Sequence, residues 1–260
     1  MKTFRTVLTS FLLLSTAAFA EECTRMETLT VSLSSGDPVE IYNLNGNIRF
    51  EEWDSEDLEL SYTITCGDQR AMDHVTVDLD TGSGLLCSVE YDEEYRYFND
   101  SSVDFVVKLP SRMQLELETA FMDGDIYLHG GRGTATLELV RGNIEVADFD
   151  GELTAVLVTG EMTLSGVPGL RQLDLVNGTI DCEMLSMLGD LEINTISGDV
   201  KLTLGTLGRV AIETISGDIR VAESFGADVS ESYVGRSADF GGGDHNIKIS
   251  TVSGDVSVMD

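Results

Sequence analysis

The chain is short of proline, tryptophan, histidine and positive charge, and each shortage excludes something. Only 3 prolines stand against 26 glycines, and a single tryptophan and 3 histidines are present. Lys and Arg number 16 against 46 Asp and Glu. So few cations cannot neutralise a phosphate backbone, which excludes nucleic acid and disfavours an anionic membrane surface. His74, His129 and His245 lie far apart and in no motif with metal-ligand spacing. A G-x-S-x-G elbow, an H-E-x-x-H helix and a phosphate-binding loop are all missing. Carboxylates are too numerous for any one pair to mark acid–base chemistry. No stretch beyond the first twenty residues approaches the ~18 apolar residues of a spanning helix, so membrane insertion is not expected.

What is present begins with "MKTFRTVLTSFLLLSTAAFA". Lys2 and Arg5 open it, an apolar run follows, and Ala18-Phe19-Ala20 supplies a signal-peptidase site. Residues 1–20 are therefore expected to be a signal peptide cleaved near Ala20, delivering the chain to the periplasm or cell surface. Its loss leaves 14 basic and 46 acidic side chains, a formal charge of −32.

Helical periodicity never persists, whereas β-branched residues and two-residue alternation do, so the chain is all-β. A repeat dominates it. Aligned glycines are Gly46 in "NLNGNIRF", Gly124 in "FMDGDIYL", Gly142 in "LVRGNIEV" and Gly160 in "LVTGEMTL". Gly178 in "LVNGTIDC", Gly198 in "TISGDVKL", Gly217 in "TISGDIRV" and Gly254 in "TVSGDVSV" continue the series. From Gly124 the spacings are 18, 18, 18, 20, 19 and 37, the last about two units. Gly235 falls in the gap, but its flanking pattern fails, so 224–246 reads as a degenerate coil or loop insertion.

Two and four residues after each glycine the side chain is apolar (Ile144 and Val146, Val200 and Leu202) with a mostly polar residue between. Seven and five before it a second alternation appears, as in Val210 and Ile212. Each unit is strand, corner, strand, corner. An antiparallel meander and a single-stranded β-solenoid with coils of ~18–20 residues both fit that order. The residue two before the glycine is apolar in all eight copies: Leu44, Met122, Val140, Val158, Val176, Ile196, Ile215 and Val252. A hairpin would leave these exposed, whereas a coil could turn them into its core, and that consideration favours the solenoid. Organisation then reads as residues 21–118, an irregular β region with the first coils, and 119–260, the regular solenoid.

The residue after the glycine is often acidic. Asp125, Glu161, Asp199, Asp218 and Asp255 would form a ladder along one edge, and stacked carboxylates can share Ca²⁺. The fuller nonapeptide of calcium solenoids is absent and Asn143 and Thr179 interrupt the ladder, so a structural turn is the preferred reading of these residues. In the irregular half, Tyr91, Tyr95, Tyr97 and Phe98 in "EYDEEYRYFND" read as an exposed loop with an adhesive alternative. Cys66 and Cys87 are expected to pair as a disulfide in an oxidising compartment, and Cys182 to be a buried thiol between Leu164 and Leu202. The final strand, "DVSVMD", reads as a possible open edge for self-association.

The run "LPSRMQLELETAFMDGDIYLHGGRGTATLELVRGNIEVADFDGELTAVLVTGEM" resembles the bacterial putative-adhesin family of β-strand-repeat domains of unknown function. "NLNGNIRFEEWDSEDLEL" is similar to that family's opening. The resemblance spans about 27–260. It implies an exported, non-enzymatic, β-solenoid-like protein with an adhesive or surface role. No cofactor is expected, and an envelope protein or glycan is the expected partner. Two other readings stand beside it: a carbohydrate-active β-helix enzyme and a calcium-dependent binding protein.

Overall fold

The computed structural model describes residues 9–11, 23–92, 101–205, 208–232 and 235–260. Most of the expected signal peptide, and Tyr95, Tyr97 and Phe98, lie outside them. The chain divides into two compact units, Met1–Gly133 and Thr134–Asp260.

The first unit holds β1 (Thr9–Phe11), β2 (Cys23–Val31), β3 (Pro38–Asn45), β4 (Ile48–Trp53) and β5 (Leu58–Cys66). A single helical turn, α1 (Gln69–Met72), precedes β6 (Val75–Asp80), β7 (Leu85–Tyr91), β8 (Ser101–Pro110), β9 (Leu115–Asp123) and β10 (Ile126–His129). Gly46 turns β3 into β4 and Gly124 turns β9 into β10. The two resulting coils stack in parallel, with Val39 beside Leu117 and Ile48 beside Ile126. On the other side of the β3–β4 coil lie β7 and β8, also parallel to it. Beyond them the ladders turn antiparallel, β6 on β7, β5 on β8 and β2 on β5. The irregular half is thus a parallel centre with antiparallel flanks.

The second unit contains β11 (Arg132–Ala147), β12 (Asp150–Ser165), β13 (Gly169–Met184) and β14 (Leu191–Leu204). β15 (Arg209–Ser216), β16 (Ile219–Val221), β17 (Val229–Ser232), β18 (Gly235–Gly241), β19 (Asn246–Ser253) and β20 (Val256–Met259) complete it. Matching positions stack on one another: Gly160 beside Gly178 beside Gly198, and Leu164 beside Cys182 beside Leu202. The expected solenoid of parallel coils is therefore the fold, and Cys182 is buried in the column assigned to it.

The coils do not stack in chain order. β19 and β20 lie between β14 on one side and β15 and β16 on the other. The last strand is an interior one, which corrects the expectation of an open edge there. Residues 224–246 are neither a degenerate coil nor a plain loop. After a 3-10 turn at Glu223–Phe225 they form the antiparallel hairpin β17–β18, and β18 closes antiparallel onto β15. Its alternation explains this, with Ala238 and Phe240 buried and Ser237 and Asp239 exposed.

The column two before the glycine also needs correction. Val140, Val158, Val176, Ile196, Ile215, Val252 and Met122 are 38–60% exposed, not core. The strand alternation simply runs on: positions seven, five and three before the glycine point inward (Leu191, Ile193, Thr195), which sends the residue two before it outward. The phase changes at the glycine, whose φ lies near +140° at Gly142, Gly160 and Gly178. The inward Met162 follows the inward Leu157 by five positions, an odd step that only such a bend accommodates.

None of the four cysteines is in a disulfide. The Cys66–Cys87 pairing is not formed; the two lie on strands without a shared ladder, β5 bonding to β2 and β8 and β7 to β3 and β6.

Candidate functional site

The corner sequence Thr-Ile-Ser-Gly-Asp assigns one task per residue. Thr195 is buried and its hydroxyl donates to the carbonyl of Gly198 at 3.1 Å, which satisfies a corner acceptor inside the coil. Ile196 and Ser197 face solvent. Gly178 illustrates why glycine follows: a Cβ there would overlap the carbonyl oxygen of Gly160 in the adjacent coil. The acidic residue then reaches along the stack.

That last contact accounts for the predicted acidic ladder. Asp199 Oδ1 accepts the backbone N–H of Asp255 at 2.8 Å, and Asp255 Oδ1 accepts that of Asp218 at 2.9 Å. Asn143 does the same for Glu161 at 3.2 Å, and in the first unit Asn47 for Asp125 at 2.9 Å. Asp and Asn are interchangeable here because the bond needs an acceptor oxygen, not a charge. Asp199, Asp255 and Asp218 are brought together in that order, whereas Asp125 belongs to the other unit. The remaining oxygen of Asp255 meets Arg220 at 3.0 Å, and Asp218 meets both Arg220 and Arg236. The N–H of Asp218, with help from Arg220, holds the Asp255 carboxyl below the usual carboxylate range. Asp255 thus spends both of its oxygens on backbone and guanidinium donors. Among the described residues no group of three or more His, Cys, Asp or Glu could hold a metal ion.

The feature left over is the aliphatic column. In the second unit Val158, Val176, Ile196, Val252 and Ile215 occupy equivalent places on successive coils, with Val140 at the same place in β11. At ~4.8 Å per coil the six residues make a ridge roughly 24 Å long. Its apolar area is on the order of a few hundred Å², the size at which a patch on a soluble protein acquires meaning. Toward one end the ridge meets a groove of about 590 Å³. Ile215 and Val252 line its apolar side. Asn194, Ser250, Glu213 and Ser237 form a polar row across four strands in register. Arg236 and Ser232 stand at the hairpin side. Arg236 is fixed there by bonds to the Gly217 carbonyl at 2.6 Å, to Asp218, and to Glu231 at 3.3 Å.

Sequence reasoning had singled out the aliphatic column but assigned it inward, and it missed Arg236 and Ser237 altogether. The alternation of "RSADF" was the available signal. Tyr91 is not part of a loop: it ends β7, and burial pushes its phenol up to about 12. His74 sits beside Asp92 at 3.3 Å in the first unit, which also holds His129; His245 lies in the second.

An all-β protein of stacked coils, with an outward apolar ridge and a shallow mixed groove, is the class this geometry defines. The chain belongs to the Toastrack DUF4097 family, whose model matches residues 21–259. No curated protein matches it. Among solved structures it is similar to a "putative adhesin" from Bacteroides fragilis NCTC 9343, with 13% identity, TM-score 0.46, and 90% of this chain and 97% of that one covered. It is also similar to a "putative lipid binding protein" from Parabacteroides distasonis ATCC 8503, with 17% identity, TM-score 0.43, and 90% and 97% covered. A third is a "putative cell adhesion protein" from Clostridium sporogenes ATCC 15579, with 9% identity, TM-score 0.38, and 92% and 99% covered.

Proposed function

We propose that the protein is an exported, non-catalytic interaction module of adhesin type, and that its contact surface is the aliphatic ridge of the second unit with the adjoining groove. One observation carries this reading: six aliphatic side chains stand in solvent at equivalent corners of a strongly acidic chain, where neither packing nor the bend requires an apolar residue. Ser197, Ser216 and Ser253 occupy the next position along the same corners and are likewise exposed, so polar side chains stand beside the column at these corners. Apolar contact supplies affinity, and the surrounding carboxylates select against anionic partners. An envelope protein or a glycan suits such a surface. The opening residues 1–20 support export to the periplasm or cell surface, and no helix among the described residues is long and apolar enough to cross a membrane.

The test compares the full chain with a triple variant, Ile196→Asn, Ile215→Asn and Val252→Asn, for saturable binding to whole cells and envelope fractions. The variant should melt near the parent temperature and lose binding at least tenfold. Equal binding by a folded variant would refute the reading. Turnover of an acidic polysaccharide by the parent would instead favour the β-helix enzyme, and a Ca²⁺-dependent rise in melting temperature the calcium-binding alternative.

A further inference from the structure

β2 and β5 run antiparallel with Val31 opposite Leu58 at one end and Cys23 opposite Cys66 at the other. Both cysteines are in phase with the inward residues of their strands, since Leu29, Val31, Leu58, Leu60, Tyr62 and Ile64 are all buried. Directly opposite residues of an antiparallel pair have Cα atoms about 4.5–5.5 Å apart, inside the ~4.4–6.8 Å that disulfides span. Strands β5 and β7 share no ladder, so Cys87 has no such relation to Cys66.

We propose that Cys23 and Cys66 are an oxidation site, joined by a disulfide that staples β2 to β5. Cys23 is half-buried and Cys66 buried, so exchange begins at Cys23. Its thiolate attacks a disulfide oxidant, a small molecule or a protein, and expels one thiolate. Cys66 then loses its proton to solvent and attacks the Cys23 sulfur, expelling the second thiolate. Two thiols give up two electrons and two protons, and the oxidant's disulfide is reduced to two thiols. Burial pushes the Cys66 thiol up, while a hydrogen bond with Ser101 draws it down. Because burial is the larger effect, the resolving step is the slow one and quickens as pH rises.

The consequence is local. Among the described residues β2 is held on one side by β5, and on the other by the three-residue β1, which lies within the expected signal peptide and leaves with it. A covalent link at the Cys23 end prevents that end of the β2–β5 ladder from fraying.

The test incubates the full chain with oxidised glutathione, alkylates it in denaturant and maps peptides without reductant. The expected product is one cross-linked peptide containing Cys23 and Cys66, with Cys87 and Cys182 alkylated. Cys87→Ser should keep the link and Cys23→Ser should lose it. Oxidised parent should melt roughly 5 °C or more above reduced parent, and Cys23→Ser, whose partly exposed position tolerates the change, should show no such difference. Four alkylated cysteines after oxidation, or a peptide joining Cys66 to Cys87, would overturn the proposal.

Discussion

Replacing the corner glycines by alanine separates two reasons for their presence. At Gly160 both operate: φ is +147°, and a Cβ would overlap the carbonyl oxygen of Gly142 in the neighbouring coil. At Gly217 only the second operates, since a Cβ would overlap the Gly254 carbonyl oxygen but φ is outside the left-handed region. At Gly198 neither is severe, because the nearest atoms would be 3.0 Å away and φ is ordinary. Gly226 supplies the converse case, with φ +60° and open space around it. Backbone strain for a non-glycine residue costs about 1–3 kcal/mol, and overpacking against a neighbour that cannot move costs about 1–3 kcal/mol more. Gly160→Ala should therefore lose ~2–6 kcal/mol, Gly217→Ala ~1–3 and Gly226→Ala ~1–2. Gly198→Ala should lose under ~1 kcal/mol. Urea unfolding followed by far-UV circular dichroism gives the four values from midpoints at constant m. Equal losses at Gly160 and Gly198 would refute the stacked-corner geometry.

Three further outcomes follow from the same structure. Ile196→Thr or Val252→Thr should change stability by no more than ~0.5 kcal/mol, whereas Ile193→Ala, three residues away on the inward face, should cost about 2–5 kcal/mol by thermal melting. Thr195→Val keeps the shape but strands the Gly198 carbonyl, and should cost about 1–3 kcal/mol in the same assay. Asp255 is held below the usual carboxylate range, so its charge contributes stability that is present above the unfolded value near ~3.9 and is lost as pH falls through the lower folded value. The melting-temperature gap between parent and Asp255→Asn should be flat above about pH 5 and close in acid. A gap that widens in acid would contradict the assignment.

Much of the fold was legible because stacking writes itself into periodicity. Glycines at near-constant intervals, with inward pairs such as Ile144 and Val146, announce coils, and the same period places Cys182 between Leu164 and Leu202. Three things were not legible, each for a physical reason. The order of coils is a long-range property: nothing in "TVSGDV" distinguishes stacking beside "TISGDI" of Gly217 from insertion between it and Gly198, because all three corners are chemically alike. The outward turn of Ile196 and its equivalents depends on which residue absorbs the phase change, and an apolar letter does not reveal that. The placement of Cys23 opposite Cys66 depends on pairing between strands distant in sequence, and the two face each other only because β5 returns antiparallel to β2. The candidate surface was consequently visible as a column of letters but assigned to the wrong side of the strand.

The polar row Asn194, Ser250, Glu213 and Ser237 beside the ridge exists only if the C-terminal coil lies between those of Gly198 and Gly217, so coil order is the claim to measure. Ser197 is in register with Ser253, and Ser253 with Ser216, which places Ser197 and Ser216 two layers apart, roughly 9.6 Å. That exceeds the ~7 Å limit for a disulfide. Under mild oxidation a Ser197→Cys, Ser253→Cys variant should cross-link and a Ser197→Cys, Ser216→Cys variant should not. Cross-linking of the second pair in place of the first would show coils stacked in chain order and would contradict the account.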